Sequence, residues 1–316
     1  MGYYTFFKNS YNLQYSNEYV NISEKGGGLV KLDNIVDFCN ESIRYSVDQS
    51  TVFKNITEIH YYAFKNEFSN IDIDCVSKLV QKTIISFDIF DDVQDKDNYS
   101  APWSSDERQA INLGLYLLID ACKEVHKCDF LNKQLAFEYM SMNLLNSIKG
   151  QYIDIQNNFN TKEEYIKMCQ DKSGSLVSFA AIMGALTATT DYLLDIHSYS
   201  LDIGIAAQIS NDIRDLIQFE TKSDLMEKKI TLPIIYLLAQ VEKTSLIKDY
   251  FSDVLTYDEI QKDKTEFISL LYNSGALSYA TKVKKEYLKR AMDKVNKLPI
   301  NAAKKSIIID KLIKNI

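Results

Sequence analysis

The chain has 316 residues, a formal net charge of −7 and an apolar fraction of 46%. The negative charge argues against a nucleic-acid partner, since a nucleic-acid surface usually shows as a basic patch. Charged residues interrupt the apolar runs well before the roughly 20 residues that a membrane span requires, and the first residues lack a signal-peptide core. We therefore expect a cytoplasmic protein.

Long uninterrupted segments favour helices along the whole chain, because the sequence has only three prolines and ten glycines. No Pro-, Gly- or Ser-rich linker divides it. The prediction is one all-α domain over residues 1–316. The five cysteines are odd in number and include no C-x-x-C pair, so we expect ordinary buried thiols.

Residues 1–25 are rich in tyrosine and phenylalanine, and we interpret them as an N-terminal cap segment that either packs on the domain or frames an entrance. The glycines from Gly26 to Gly28 then predict a flexible turn before the first helical pattern. Lys31 is the first basic residue after this turn.

The stretch from Ser86 to Asp97 holds a first acidic motif. Asp91, Asp92 and Asp95 stand at positions i, i+1 and i+4 of an apolar run without glycine or proline. If this run is a helix, Asp91 and Asp95 share a face, and burying such a cluster requires raised pKa values or bound cations. Oxygen-only ligands suit a hard ion such as Mg²⁺. A solvated acidic helix face is the alternative.

A second segment repeats this arrangement, with Gln208, Asn211, Asp212 and Asp215 among apolar residues. Two amphipathic helices that each carry oxygen ligands at i, i+1 and i+4 can face one another across a cavity. Packing requires neither cluster. The pair therefore favours a divalent-cation site over two unrelated surface patches.

The two motifs and their surroundings resemble the trans-prenyltransferase (isoprenyl diphosphate synthase) family. The family carries, in order, D-D-x-x-D, G-Q-x-x-D, K-T-G-x-L, G-x-x-F-Q-x-x-D-D-x-x-D and D-L-x-x-G-K-x-T-L-P. The matching positions are Asp91, Asp92 and Asp95; Gly150, Gln151 and Asp154; Lys172 to Leu176; Gly204, Gln208, Asn211, Asp212 and Asp215; and Asp224, Leu225, Lys229, Thr231, Leu232 and Pro233. The resemblance implies a helical bundle around a central cavity in which an allylic prenyl diphosphate is ionised.

Metal ligands are the first roles that the resemblance implies. In the family, three Mg²⁺ ions bridge the diphosphate and the two acidic motifs. The direct ligands would then be Asp91, Asp95, Asn211 and Asp215. Asp92 and Asp212 would lie close by. Because Asn211 stands where the family has aspartate, it offers one neutral acceptor oxygen, and the second metal site is expected to be weaker.

Substrate contacts are implied for a further group of residues. Lys172 and Lys229 match the lysines that neutralise the leaving diphosphate, and Gln208 joins them as a catalytic candidate. Phe87, one helical turn before the first motif, would form the floor of an apolar sleeve for a short donor such as geranyl or farnesyl diphosphate. Plain core packing is the alternative for this ring. The remaining substrate-binding candidates are Lys31, Gln151, Asp154 and Ser173.

For Gln151 and Asp154 two interpretations remain open. They could order the water and metal shell of the site, since second-shell groups orient the ligands. Alternatively, they are the polar start of a helix after a break at Gly150, where the helix dipole favours a carboxylate.

The family's pocket for a second diphosphate, that of isopentenyl diphosphate, has lost most of its cations in this chain. Of the motif G-G-K-R-x-R-P only Lys31 keeps a positive charge, and Ile84 stands where elongating enzymes have a histidine. Lys96 to Ser100 and then A-P-W replace the motif R-R-G. Neutral side chains do not replace the forked donors of guanidinium groups. Three losses in one pocket indicate a changed co-substrate.

This pattern favours the ComQ-type branch of the family, which prenylates a tryptophan in the precursor of a quorum-sensing pheromone peptide. The partners would be the prenyl diphosphate and a small peptide, and the protein would be a homodimer, as is usual in the family. Chain elongation with a weak isopentenyl site is the second interpretation. A non-catalytic synthase subunit and a terpene cyclase are further alternatives, although the cyclase motif needs serine and glutamate where this chain has Asp215 and Phe219.

Overall fold

The structure is a computed structural model that describes residues 35–66, 71–96, 98–217, 224–240, 246–262 and 264–316. The N-terminal cap segment, the glycine turn and Lys31 lie outside these residues. Within them every regular element is helical, so the all-α prediction is confirmed. The prediction of one domain over residues 1–316 stays a prediction. No helix in the described ranges is long and apolar enough to cross a membrane.

The α-helices follow one another along the chain as fourteen segments in the described residues. They are α1 (Ile35–Gln49), α2 (Val52–Phe64), α3 (Ile73–Asp95), α4 (Glu107–Glu124), α5 (Lys133–Gln156), α6 (Lys162–Cys169), α7 (Ser175–Ala185), α8 (Leu193–Ile217), α9 (Leu232–Gln240), α10 (Leu246–Phe251), α11 (Tyr257–Lys262), α12 (Lys264–Asn273), α13 (Ala276–Lys297) and α14 (Ala302–Lys311). A π-helical turn, Gln170–Gly174, joins α6 to α7.

Helix α7 lies at the centre of the bundle, because all 11 of its residues are buried. A helix that is apolar on every side has no solvent face. It packs against α2, α5 and α8. The contact with α2 is very close at Gly184, where a Cβ would lie 2.0 Å from the Thr57 carbonyl oxygen. Only glycine allows this approach of the two backbones.

The two acidic motifs lie near the C-terminal ends of α3 and α8. Helix α3 begins at Asp72, whose side chain accepts a hydrogen bond from the Asp74 N–H, and ends where Lys96 takes a left-handed φ of 50°. The C-terminal end of a helix carries partial negative charge, which disfavours carboxylates. Both motifs therefore need cations nearby.

Helix α13 packs against α8 and is joined to it by two ion pairs with a buried aspartate. Asp202 of α8 is 2% exposed and pairs with Arg290 at 3.1 Å and Lys294 at 2.6 Å. Because one carboxylate of α8 pairs with two cations of α13, these ion pairs fix how the two helices pack against each other. That arrangement supports the helix that carries the second acidic motif.

Cys75 of α3 and Cys128 form a disulfide, with their Cα atoms 5.7 Å apart. The expectation of ordinary thiols is therefore wrong for this pair. The two cysteines are 53 residues apart, so no spacing motif in the sequence indicates the bond. Cys39, Cys122 and Cys169 are free thiols, as expected.

Candidate active site

Lys172 lies between a carboxylate of α3 and a carboxylate of α5. Its Nζ is 3.2 Å from Asp91 Oδ1 and donates a hydrogen bond to Asp154 Oδ2 at 2.7 Å. Burial would raise the pKa of Asp91, but Lys172 and then Lys229 outweigh this effect and lower the pKa below its usual value. Asp91 is therefore ionised at neutral pH, and the lysine neutralises it.

Asp95 meets the second lysine of the site. Lys229 Nζ lies 2.6 Å from Asp95 Oδ2 and 3.8 Å from Asp224 Oδ1. Burial and the charge of Asp91 raise the pKa of Asp95 to about 6, although Lys229 acts in the opposite direction. Burial also acts against the charge of Lys229, but Asp95 and further carboxylates raise the pKa of this lysine above its usual value. Lys229 is thus a permanent cation of the site.

Asn157 holds the backbone on both sides of Lys229. Its Nδ2 donates to the Lys228 carbonyl oxygen at 2.7 Å, and its Oδ1 accepts from the Ile230 N–H at 2.7 Å. Lys228 occupies the place of the family's glycine and adopts the left-handed φ of 53° that glycine usually supplies. The loop therefore keeps its shape without the glycine. The sequence analysis did not identify Asn157. The sequence indicates only that asparagine tolerates a left-handed φ after a helix.

Two glycines allow the turn that carries Lys172 to lie between α5 and α8. A Cβ on Gly150 would lie 2.1 Å from the Lys172 nitrogen, and a Cβ on Gly204 would lie 2.4 Å from the Gly174 Cα. Both motif glycines are therefore required for close backbone approach. Helix α5 runs through Gly150 without a break, so the alternative of a helix that starts there is wrong.

Asp212 of the second motif is held by two neutral donors. Tyr165 donates its hydroxyl to Oδ2 at 2.5 Å, and Gln208 Nε2 donates to Oδ1 at 2.8 Å. Ser173 in turn donates to Gln208 Oε1, which connects the lysine turn to α8. Burial raises the pKa of Asp212 to about 7, although the Tyr165 hydrogen bond acts in the opposite direction. The two motifs thus belong to one continuous polar network.

Asn211 and Asp215 are the other two members of the second motif, and both are buried. The Asn211 Oδ1 accepts no hydrogen bond from the residues that the structure describes. Asp215 Oδ1 lies 3.5 Å from Arg214 Nε. A buried acceptor without a partner costs free energy of about 1–3 kcal/mol. The Asn211 oxygen is therefore suited to an incoming ligand or cation.

Asp92 of the first motif also accepts from two neutral donors. Trp103 Nε1 donates to its Oδ2 at 2.8 Å, and Asn98 Nδ2 donates to the same oxygen at 2.7 Å. Tyr45 of α1 packs edge-on against the Trp103 ring, with 5.6 Å between the ring centroids. Sequence reasoning missed Trp103 and Asn98 because they replace a family motif rather than match it.

The donor set of the two motifs suits a hard divalent cation such as Mg²⁺, since it consists of oxygen atoms only. No group of three or more His, Cys, Asp or Glu side chains within the described ranges is arranged to hold a metal ion. Two lysines explain why the first motif does not form such a group. Lys172 and Lys229 pair with its carboxylates. The buried Asn211 acceptor shows that the second motif still has an oxygen to offer.

Phe87 and Gln151 are less firmly connected to the network. Phe87 is buried in a large hydrophobic cluster of α2, α3, α5 and α7 residues. Gln151 Nε2 donates to Gln94 Oε1 at 2.9 Å and so joins α5 to α3 beside the first motif. The assignment of both residues to substrate binding stays a prediction, as do the roles of the other site residues.

Known proteins share this sequence pattern and this fold. Residues 56–271 match the family model described as "Polyprenyl synthetase". A curated relative, the "Tryptophan prenyltransferase ComQ" of Bacillus spizizenii, is 28% identical over 286 residues, which cover 89% of this chain and 98% of the relative.

Two solved structures have a similar fold. A geranylgeranyl pyrophosphate synthase superposes with a TM-score of 0.76 at 17% identity and covers 91% of this chain and 93% of its own. A Caulobacter crescentus polyprenyl synthase, complexed with calcium and isoprenyl diphosphate, has a TM-score of 0.69 at 18% identity, with 92% and 99% of the two chains covered. At such identities the likeness establishes the helical fold alone.

Proposed function

Since the chain belongs to the polyprenyl synthetase family and is a prenyltransferase, we propose that it transfers a prenyl group from an allylic diphosphate to a tryptophan side chain. The donor is short, geranyl or farnesyl diphosphate. The acceptor is a small peptide, the precursor of a quorum-sensing pheromone. Similarity to ComQ over 89% of the chain supports the choice of tryptophan.

One observation carries the proposal. Two lysines, Lys172 and Lys229, contact the carboxylates of Asp91 and Asp95 in a buried network that reaches the second motif through Ser173. A site with this many carboxylates and two lysines is costly to maintain for stability alone. Its charges suit a diphosphate together with divalent cations, because the lysines can pair with the diphosphate and the carboxylates can pair with the cations.

The residues of the site would divide the work of ionisation. Asp91, Asp95, Asn211 and Asp215 would hold Mg²⁺, which when bound supplies positive charge to the leaving diphosphate. Lys172 and Lys229 would turn from the carboxylates to the diphosphate oxygens and stabilise the charge that develops there. Gln208, which is hydrogen-bonded to Ser173 and Asp212, would hold the turn that carries Lys172 against α8.

In the proposed transfer the bond between C1 of the prenyl chain and the diphosphate oxygen breaks, and its electron pair leaves with the diphosphate. The indole C3 of the acceptor then bonds to C1. The positive charge moves to the indole ring, which loses its N–H proton. The electron balance needs no oxidant or reductant. Phe87 would bound the apolar sleeve that keeps water from the cation.

The replaced loop after the first motif supports an uncharged acceptor over isopentenyl diphosphate. Where elongating relatives have R-R-G, Asn98 and Trp103 contact Asp92 with neutral groups. These two side chains therefore add no positive charge for a second diphosphate. A neutral indole does not need such charge.

A homodimer is part of the proposal. Helix α5 exposes an apolar stripe at helical spacing: Leu145 is 58% exposed, Ile148 49%, Tyr152 66% and Ile155 53%. These residues are too many and too contiguous for ordinary solvent-facing positions. A second copy of the chain would cover the stripe.

The test is a product analysis. Purified protein would be incubated with Mg²⁺, farnesyl or geranyl diphosphate, and either a synthetic peptide with one tryptophan or isopentenyl diphosphate. Mass spectrometry should find the peptide heavier by one prenyl group, and no gain for the same peptide with phenylalanine in place of tryptophan. Longer prenyl diphosphates from the isopentenyl sample, with an unmodified peptide, would instead establish chain elongation.

A further inference from the structure

The middle aspartate of each acidic motif is held by a buried aromatic donor. Trp103 donates its indole N–H to Asp92 Oδ2 at 2.8 Å, and Tyr165 donates its hydroxyl to Asp212 Oδ2 at 2.5 Å. We propose that Trp103 and Tyr165 are a matched pair of positioning residues, which fix the middle carboxylates so that the flanking members of each motif bind the cations. The inference rests on the proposed function, because it assigns these residues to the same metal and diphosphate site.

Both aromatic rings are fixed in place by packing. Trp103 is 1% exposed and lies in a cluster with α3 and α4 residues, while Tyr165 is fully buried and packs edge-on against Phe159 at 6.2 Å. A buried ring cannot turn away without leaving a cavity, and interiors are packed too closely to allow this cheaply. The two donors therefore keep their carboxylates in one orientation.

A second neutral donor reinforces each contact. Asn98 Nδ2 donates to the same oxygen of Asp92 at 2.7 Å, and Gln208 Nε2 donates to the other oxygen of Asp212 at 2.8 Å. Asn98 is itself within hydrogen-bonding distance of Tyr45, at 3.3 Å. The middle carboxylate of the first motif is thus supported by two residues of the segment after α3. That of the second motif is supported by Tyr165 of α6 and by Gln208, one turn earlier on α8.

The flanking carboxylates of the first motif are held differently. Asp91 and Asp95 contact the ammonium groups of Lys172 and Lys229. A lysine has a long flexible side chain and can exchange a carboxylate for a diphosphate oxygen. The motif therefore combines an immovable middle aspartate with flanking aspartates whose partners can leave. This division suits a site in which only the flanking oxygens change partners on binding.

Two variants test the proposal. Tyr165→Phe removes one O–H and keeps the ring, whereas Trp103→Phe removes the indole N–H together with part of the indole ring system. The full-length protein would be titrated with Mn²⁺ in the presence of inorganic pyrophosphate, and free Mn²⁺ would be followed by electron paramagnetic resonance. We expect each variant to bind Mn²⁺ about tenfold more weakly, because loss of a group that supports a metal site from outside its ligands commonly costs 10- to 100-fold in affinity. The Mg²⁺ concentration for half-maximal activity should rise equally, with kcat at saturating Mg²⁺ nearly unchanged.

Two further variants keep the outcome interpretable. Tyr199→Phe removes another buried hydroxyl, one that makes no hydrogen bond with the described residues, and should leave Mn²⁺ binding unchanged. Asn98→Gly removes the second donor to Asp92 and tolerates the left-handed φ of 55° at this position, so it covers the case in which an aromatic variant does not fold. It should weaken binding severalfold.

The failures can be told apart. If wild-type protein binds Mn²⁺ with pyrophosphate and the three donor variants bind it equally well, with lower melting temperatures only, the residues are merely structural and this inference is overturned. If wild-type protein binds no Mn²⁺ in the presence of pyrophosphate, the proposed function itself fails and the inference falls with it.

Discussion

The Nζ atom of Lys229 lies 2.6 Å from Oδ2 of Asp95, although the two residues are 134 positions apart in the chain. Lys172 makes the corresponding contact with Asp91. Each lysine thus neutralises a carboxylate of the first motif before a substrate is present. In the proposed reaction a diphosphate attracts the lysines and divalent cations replace them at the carboxylates, so the two exchanges depend on each other.

Lys229→Met should lower kcat about 100-fold, since removing one preorganised charge from a developing oxyanion commonly costs a factor of 10²–10³. The measurement is the rate of peptide prenylation at saturating Mg²⁺ and donor. Lys78→Met is the matched control, because Lys78 is an exposed lysine whose ion pair with Asp74 lies within α3. Equal rates for wild type and Lys229→Met would exclude the lysine from the chemistry.

Asn157→Gly should lower kcat about tenfold and should lower the free energy of unfolding by about 2 kcal/mol. Glycine accepts the left-handed φ of 48° at this position, so the substitution removes the two side-chain hydrogen bonds to the Lys228–Ile230 backbone and little else. Two such bonds contribute about 2 kcal/mol together. Steady-state kinetics and denaturant unfolding would be measured in parallel.

The variant Asn157→Asp keeps an acceptor for the Ile230 N–H and loses the donor to the Lys228 carbonyl. Its activity should lie between those of wild type and Asn157→Gly. If Asn157→Gly is fully active although it unfolds more easily, the Asn157 side chain contributes only to stability at the end of α5.

The parts of the site that follow a sequence motif could be predicted. Asp91, Asp154 and Lys172 belong to three separate motifs whose positions indicate one site. In the structure the Lys172 Nζ lies within 3.2 Å of a carboxylate oxygen of each aspartate. The helical fold followed from the scarcity of glycine and proline. Local patterns were sufficient because the two acidic motifs lie within regular helices.

The supporting residues could not be predicted, because they act across the fold. Trp103 and Tyr165 contact motif aspartates through packing that no local pattern encodes. The Cys75–Cys128 disulfide joins positions 53 residues apart for the same reason. The role of Gly150 also needed the structure, since its neighbour across the helix interface is Lys172.

Gly150→Ala should lower the free energy of unfolding by about 3 kcal/mol or more and should also reduce activity. Its Cβ would lie 2.1 Å from the Lys172 backbone nitrogen, so either α5 or the lysine turn must move. Gly275→Ala is the control for glycine loss, because it has open space around the Cβ and only its φ of 81° is strained, at a cost of about 1 kcal/mol. Similar stabilities for the two variants would contradict the close packing.

Leu145→Glu should convert the proposed dimer into monomers. The substitution places a charge at the first residue of the exposed stripe on α5, where a second copy would have to bury it. Size-exclusion chromatography with light scattering gives the mass directly. Leu194→Glu, at a leucine of α8 that is 76% exposed, should leave the mass unchanged. A monomeric wild type, or a dimeric Leu145→Glu variant, would reject the α5 interface.

His60 should make the protein less stable in acid. Burial lowers its pKa from 6.5 to about 4, although its hydrogen bond to the Ile56 carbonyl opposes the shift. The unfolded chain takes up the proton below pH 6.5 and the folded protein does not, so the contribution is complete above pH 6.5 and is lost as the pH falls toward 4. It amounts to about 3 kcal/mol. The free energy of unfolding of wild type and His60→Leu would be measured with denaturant between pH 4 and 7.5. The difference between the two proteins isolates the contribution of His60, because the raised pKa values of Asp95 and Asp212 affect both equally. Parallel curves would show that His60 is protonated in the folded state.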